Sequence, residues 1–146
     1  MPEVADSIAV QVLRAYARQS RLIDSGDATG WAATFTRDGE FHSPSYPEPA
    51  VGADALIAFA ETFARTDRET GVVRRHVVTN VDVLPGQDDD HVVAHAYLQI
   101  LATPAGGETQ LVRLTTLTDQ LVRRDGRWLV AHRQVRRDDT QAEGTR

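Results

Sequence analysis

The sequence predicts an α+β protein in which three N-terminal helices pack on a curved mixed or antiparallel β-sheet. Apolar residues recur at helical spacing through the first 70 residues, and from residue 72 onward apolar and polar residues alternate. Turn-forming sequences divide this second half into four long strands. A sheet wrapped around helices encloses a conical pocket. We expect a single domain over residues 1–137 and a flexible C-terminal tail over 138–146.

The first helix is predicted over residues 4–24. Continuing its apolar stripe from Leu13 through Ala17 leads to Asp24, so this carboxylate lies on the buried side, where an unpaired charge is costly. Gly26 ends the helix. The stripe comprises Val4, Ile8, Val12, Leu13, Tyr16, Ala17 and Ile23.

A second, short helix is predicted over Ala28–Phe35, with Asp27 as its N-cap. Arg37–Gly39 is interpreted as a turn and Glu40–Ser43 as a short strand. Three prolines between residues 44 and 49 make the next loop rigid.

The third helix opens at Gly52 and Asp54. Its inner stripe comprises Leu56, Phe59, Ala60 and Phe63. The four long strands are predicted at Val72–Leu84, His91–Thr103, Thr109–Arg124 and Arg127–Arg136. The pair Asp125-Gly126 is a tight hairpin signal between the last two.

Composition excludes several kinds of chemistry. The chain has no Cys, and all 16 of its basic residues are Arg, so thiolate nucleophiles, Cys-ligated metals and Schiff-base lysines are excluded. The net charge of −5 and the scattered arginines argue against a nucleic-acid partner. No apolar run approaches the roughly 20 residues that a membrane span requires. Without Cys or a signal-peptide pattern, the chain is expected to be cytoplasmic.

Five segments, in order and over roughly residues 5–137, resemble the SnoaL-like branch of the NTF2-like superfamily. The resemblance implies a cone-shaped fold that hosts many functions. The segments are Tyr16–Asp27, Trp31–Gly39, Gly52 before a helix, Arg75–Val81 and Asp125–Trp128.

The resemblance also implies catalytic residues. Scytalone dehydratase and bile-acid dehydratase have an Asp late in the first helix and a His in the first long strand, which correspond to Asp24 and His76. SnoaL-type polyketide cyclases use an Asp that corresponds to Asp119. The general base of ketosteroid isomerases falls on Ser43, which cannot serve as that base. The dehydratases' helix-one Tyr falls on Ile23 or Gln19, so another residue must polarise the carbonyl.

Each catalytic candidate has a structural alternative. By alternation His76 shares a face with Arg74, Asn80 and Asp82, which is typical of either solvent or a polar cavity wall. Asp24 could instead bind backbone amides at the helix end. Asp119 could form an ion pair with Arg113 or Arg133.

Other polar and aromatic side chains are expected to bind substrate or shape the pocket, or to serve structural roles in the core or at strand ends. No organic cofactor or metal is expected: His91 and His95 share a strand face, but no third ligand is identified, and His132 is placed at the surface or a subunit contact. The substrate-binding candidates are Asn80, Tyr16, Tyr46, His42 and Trp31.

The function that these residues favour is acid/base catalysis by a dehydratase or cyclase. The expected substrate is a small, largely apolar carbonyl compound, and the resemblance points to an aromatic polyketide intermediate. The alternative is a non-catalytic ligand-binding or assembly module, including a subunit like the small chains of ring-hydroxylating dioxygenases. Exposed valines such as Val77 and Val81 predict a homodimer.

Overall fold

The computed structural model describes residues 3–139 of the chain, which contain three helices and six strands. The helices are α1 (Asp6–Asp24), α2 (Ala28–Ala32) and α3 (Ala53–Thr70). The strands are β1 (Phe35–His42), β2 (Ala50–Val51), β3 (Val72–Pro85), β4 (His91–Pro104), β5 (Gln110–Arg124) and β6 (Arg127–Arg137).

The strands form one open, mixed sheet in the order β2-β1-β6-β5-β4-β3. Strand β1 runs parallel to β6, and the other neighbours are antiparallel. The predicted α+β class, three helices on a curved sheet, is confirmed.

The core lies between the helices and one face of the sheet. Val12 of α1 and Leu56 of α3 are fully buried, and Leu117 and Leu121 of β5 meet them from the sheet. Burying a side chain of this kind stabilises the fold by about 1.5–3 kcal/mol. The helical spacing correctly predicts the burial of Val12, Tyr16 and Ile23 in α1. The prediction is wrong for Leu13 and Ala17, which are exposed and line a groove between α1 and β3.

The segment Arg37–Gly39 lies within β1, so its interpretation as a turn is wrong, and Phe35 begins that strand rather than ending α2. The pairing of β1 with β6 shifts register between Phe35 and Glu40, which absorbs the extra residues. A Cβ on Gly39 would approach the Phe35 Cβ and the Thr36 carbonyl oxygen to 2.9 Å, so this bend requires glycine.

A second irregularity interrupts β3. Asn80 has a φ of 54°, and the pairing with β4 shifts between Thr79 and Asp82. Before this bulge His76 and Val78 face the helices, and after it Val81 does. The bulge therefore exchanges the two faces of the strand.

No helix within residues 3–139 is both long and apolar enough to cross a membrane. Of the predicted tail, residues 140–146 lie outside the described chain.

Candidate active site

Asp24 and His76 meet where the last turn of α1 packs on β3. The Nδ1 atom of His76 donates to Oδ1 of Asp24 at 2.7 Å. The backbone N–H of His76 also donates to both carboxylate oxygens, at 3.1 and 3.2 Å. Their side chains are 13% and 9% exposed, respectively. Three hydrogen bonds therefore fix the carboxylate and the imidazole against each other.

The hydrogen bond to Asp24 determines which nitrogen of His76 can accept a proton. With Nδ1 as donor to Asp24, the neutral ring has its lone pair on Nε2, and Nε2 has no hydrogen-bond partner within residues 3–139. A neutral imidazole with a free nitrogen, oriented by a carboxylate, is equipped to take up a proton.

His76 lies in the wall of an inner cavity of about 50 Å³ between the helices and the sheet. Five side chains of the wall are Phe, Tyr or Trp, and among them Phe59 packs 4.9 Å from both Phe41 and Tyr46, measured between ring centroids. Phe63 lies 5.4 Å from the His76 ring. His76 therefore borders a largely apolar hollow, whereas Asp24 lines an outer groove between α1 and β3 that His76 also lines.

A wider surface groove of about 550 Å³ lies beside the inner cavity along α3. Both spaces share five lining residues, namely Tyr46, Phe59, Phe63, Ile100 and Arg113. The inner cavity alone could hold only a few water molecules, at roughly 10–15 Å³ each. The groove falls within the approximately 300–1,000 Å³ typical of ligand pockets.

A buried ion pair lies beside the hollow. Asp119 is 0% exposed, and Arg133, which lines the cavity, donates to it from Nε at 2.9 Å and Nη2 at 2.8 Å. Tyr16 donates to the same carboxylate at 2.5 Å, and Gln19 accepts from Nη2 of Arg133 at 2.6 Å. The hydrogen bonds to Asp119 and Gln19 come from Nε and Nη2 of Arg133 and not from its Nη1 atom.

The charges in this network explain the direction of two pKa shifts. Burial raises the pKa of Tyr16, and the negative charge of Asp119 raises it further, so this phenol stays protonated as a donor. Burial alone would lower the pKa of Arg133, but the charge and hydrogen bonds of Asp119 outweigh burial and raise it. Arg133 is therefore a fixed cation.

The structure separates the predicted site residues into two groups. Trp31 and Tyr46 line the cavity together with His76. Asn80 is exposed on the β3 bulge, away from His76, and His42 lies on the opposite face of β1 from the cavity-lining Phe41. The expectation that Asn80 and His76 share a face is wrong, because the bulge separates them.

Tyr16 and Asp119 lie behind the cavity wall in the buried network. The ion pair between Asp119 and Arg133, which was the structural alternative for Asp119, is present. Arg133 itself was not among the predicted site residues. Its only signal in the sequence was its availability as a partner for Asp119. Arg113, which donates to the Tyr46 hydroxyl at 3.3 Å, was also missed as a cavity residue.

Helices on one face of an open mixed sheet, with an apolar hollow between the layers, define the NTF2-like class of fold. Residues 7–134 match the SnoaL-like domain, and the chain belongs to that family.

Solved structures of similar proteins cover nearly the whole chain. ActVI-ORFA from Streptomyces coelicolor is 28% identical, with a TM-score of 0.85 over 93% of this chain and 98% of that one. Aln2 from a Streptomyces species is 30% identical, with a TM-score of 0.82 over 94% and 96%. A Catenulispora acidiphila protein in complex with S-DNPA is 31% identical, with a TM-score of 0.78 over 92% and 96%.

A search of curated proteins found no significant match. The family and its structural relatives support a coarse role in catalysis on, or binding of, a small molecule.

Proposed function

We propose that the protein is a cofactor-independent acid/base catalyst, a dehydratase or cyclase, that acts on a small, largely apolar carbonyl compound. The observation that carries this proposal is the 2.7 Å hydrogen bond between Asp24 and His76, whose imidazole lies in the wall of a largely apolar cavity. A positioned acid/base group contributes on the order of 10²–10⁴ in rate, which suits reactions that are easy once the substrate is held in place.

In the proposed reaction, Nε2 of His76 removes a proton from the carbon next to the carbonyl, and the C–H electron pair forms an enolate. Asp24 holds the ring and stabilises the imidazolium. For dehydration, the enolate then collapses, the bond to a β-hydroxyl breaks, and the imidazolium returns its proton so that water leaves. For cyclisation, the enolate carbon forms a bond to a second carbonyl carbon, whose oxygen receives the proton.

The enolate oxygen needs a donor, and Arg133 is our candidate. Its side chain lines the cavity, its Nη1 atom is not used in the bonds to Asp119 and Gln19, and its positive charge is matched to a developing oxyanion. Asp119 is fully buried beside Arg133, so we propose that it positions this guanidinium rather than exchanging protons with substrate.

The proposed substrate class is an aromatic polyketide intermediate. Flat aromatic rings suit a wall formed by Phe41, Phe59, Phe63 and Tyr46. Because the inner cavity is only about 50 Å³, the body of such a substrate would lie in the 550 Å³ groove while side chains shared by both spaces move aside. The S-DNPA complex of the Catenulispora protein supports a ligand-holding role for this fold.

The test is exchange of the α-protons of aryl β-hydroxyketones of one to three fused rings, followed by NMR in D₂O. We expect the protein to accelerate exchange for a subset of these compounds and to convert a fraction of them to the dehydrated product. Saturable binding without exchange across the whole series would contradict the proposal.

Replacing Asp24 with Asn should lower kcat/KM by on the order of 10², the lower end of the range for a positioned acid/base group. Asn keeps an oxygen for the His76 backbone N–H but removes the charge that stabilises the imidazolium. The pH dependence of the rate should also differ from that of the wild type. Asp27→Asn is the matched control, because Asn caps a helix as well as Asp does and α2 should persist. An unaltered rate and pH profile in Asp24→Asn would remove Asp24 from the mechanism.

The second candidate function is a ligand-binding or assembly module without turnover. The small volume of the inner cavity favours it, because about 50 Å³ is well below the roughly 300–1,000 Å³ typical of ligand pockets. The exchange experiment separates the two functions.

We also propose that the chain forms a homodimer through the outer face of the sheet. Tyr97 and Leu114 on this face are 51% and 44% exposed, and Val77 lies in register with Gln99 beside them. Val81 does not belong to this surface, because the β3 bulge turns it toward the core, so the sequence prediction that included it is wrong.

Sedimentation should therefore give twice the 16.1 kDa mass of the chain. Leu114→Glu should shift the equilibrium to monomer, because a charge would be buried in the interface. Val10→Glu on α1, where Val10 is 45% exposed, is the matched control and should leave the mass unchanged. A wild-type protein that sediments only as a 16.1 kDa species would refute this surface.

A further inference from the structure

Three side chains with metal-binding atoms meet on the face of the sheet opposite the cavity. Phe41 of β1 faces the core, so its neighbours Glu40 and His42 face outward. On β6 the buried Arg133 faces the core, and the preceding His132 faces outward. This group is separate from the Asp24–His76 site.

The backbone holds the three residues in fixed positions. Glu40 and His132 are direct partners in the parallel pairing of β1 with β6, and His42 follows Glu40 by two residues on the same face. One ligand atom from each lies within 4.8 Å of those of the other two. The Nε2 atom of His42 is 2.9 Å from Oε1 of Glu40, and the rings of His42 and His132 stack with centroids 4.7 Å apart.

The chemistry of the group matches a borderline transition-metal ion. Zn²⁺ takes imidazole nitrogen and carboxylate oxygen at about 2.0–2.2 Å, and imidazole also suits Ni²⁺ and Cu²⁺. We expect side-chain rotations to bring the three atoms, which already lie within 4.8 Å of one another, to these distances. One imidazole must turn out of the stack, because the lone pairs of two stacked rings lie in nearly parallel planes and cannot both point at one ion. The side chains of His42 and Glu40 are 30% and 40% exposed, which leaves room for that rotation.

The cross-strand partners of the group are uncharged. Glu40 pairs also with Val51 on β2, His132 with Gln120 on β5, and His42 with Gln134 on β6. No cation at these register positions repels a bound metal ion.

We propose that Glu40, His42 and His132 form a binding site for a divalent transition-metal ion of the Zn²⁺ type. Three protein ligands leave at least one position of a tetrahedral ion for water. A bound ion would tie β1 to β6 at the single parallel junction between described strands.

The experiment is calorimetric titration of the full, untagged chain with ZnCl₂, with MgCl₂ as the comparison cation because Mg²⁺ prefers oxygen ligands. We expect saturable binding of one Zn²⁺ per chain and none of Mg²⁺. His42→Ala and His132→Ala should each weaken Zn²⁺ binding by at least about tenfold, the scale of loss known for outer-shell partners of metal ligands.

His95→Ala is the matched control, since His95 is an exposed strand histidine on β4 whose ring contacts Thr118. It should bind Zn²⁺ as the wild type does, and circular dichroism should give the same spectrum for all three variants. Absence of saturable Zn²⁺ binding to the wild type would overturn the proposal. Equal weakening by His95→Ala, or unchanged affinity in folded His42→Ala and His132→Ala, would overturn it as well.

Discussion

Replacing His76 with Ala should lower kcat/KM by on the order of 10²–10⁴, while the Tm stays close to that of the wild type. The loss follows because the substitution removes the only group at the hollow that we assign to proton abstraction. The stability changes little because Asp24 is not left without partners: the backbone N–H of residue 76 still donates to both of its oxygens. The measurements are α-proton exchange by NMR and thermal unfolding by circular dichroism.

His95→Ala serves as the control for loss of a histidine from a strand of the same sheet, and its activity should be normal. A His76→Ala protein that keeps its activity but loses several kcal/mol of stability would falsify the catalytic assignment. In that case the pair would be a structural tie between α1 and β3.

Replacing Arg133 with Met should destabilise the protein by about 3–5 kcal/mol. The substitution fills similar space but leaves the carboxylate of Asp119, which is 0% exposed, without its cation. Gln19 loses its donor in the same step. The effect is measured as the free energy of unfolding from urea denaturation. The destabilisation by Arg133→Met and that by substitutions of Asp119 should be non-additive when the two are combined.

The double variant Asp119→Leu/Arg133→Met should recover part of the lost stability, because it leaves no unpaired buried charge, although the Tyr16 hydroxyl loses its acceptor. Arg113→Met is the control for loss of a cavity arginine that pairs with a phenol rather than a carboxylate. A loss below about 1 kcal/mol in Arg133→Met, typical of an exposed pair, would contradict a desolvated ion pair.

Long periodic segments could be predicted from the sequence because their pattern repeats many times. The helix predicted over 4–24 is observed as Asp6–Asp24, and the strand predicted at His91–Thr103 is observed as His91–Pro104. In both, burial of one face dominates the energetics, so the apolar residues report the element directly.

The position of His76 could not be settled by alternation, because the bulge at Asn80 lies inside the strand. Val77 and Val81 have the same parity in the sequence, yet they lie on opposite sides of the sheet. A bulge of one residue inverts every later side chain, and its only local signal here was an Asn that tolerates positive φ.

The burial of Arg133 could not be predicted because β6 contains an irregularity of the same kind. The pairing with β5 moves from Gln120–His132 to Leu121–Val130, which leaves an extra residue on β6. Strict alternation from Val130 would place His132 inside and Arg133 outside, whereas the structure has the reverse. This one extra residue therefore accounts both for the burial of Arg133 and for the outward position of His132 beside His42.

Because Trp31 lines the inner cavity, its fluorescence can report whether the cavity is occupied. Its indole lies 5.6 Å from the Phe59 ring and 6.2 Å from the Phe41 ring, so a guest between these side chains would change the polarity that sets its fluorescence emission. The other tryptophan, Trp128, donates its N–H to Gln11 elsewhere in the fold and supplies a constant background. Occupancy can therefore be followed by emission wavelength without a dye, and Trp31→Phe identifies the part of the signal that comes from the hollow.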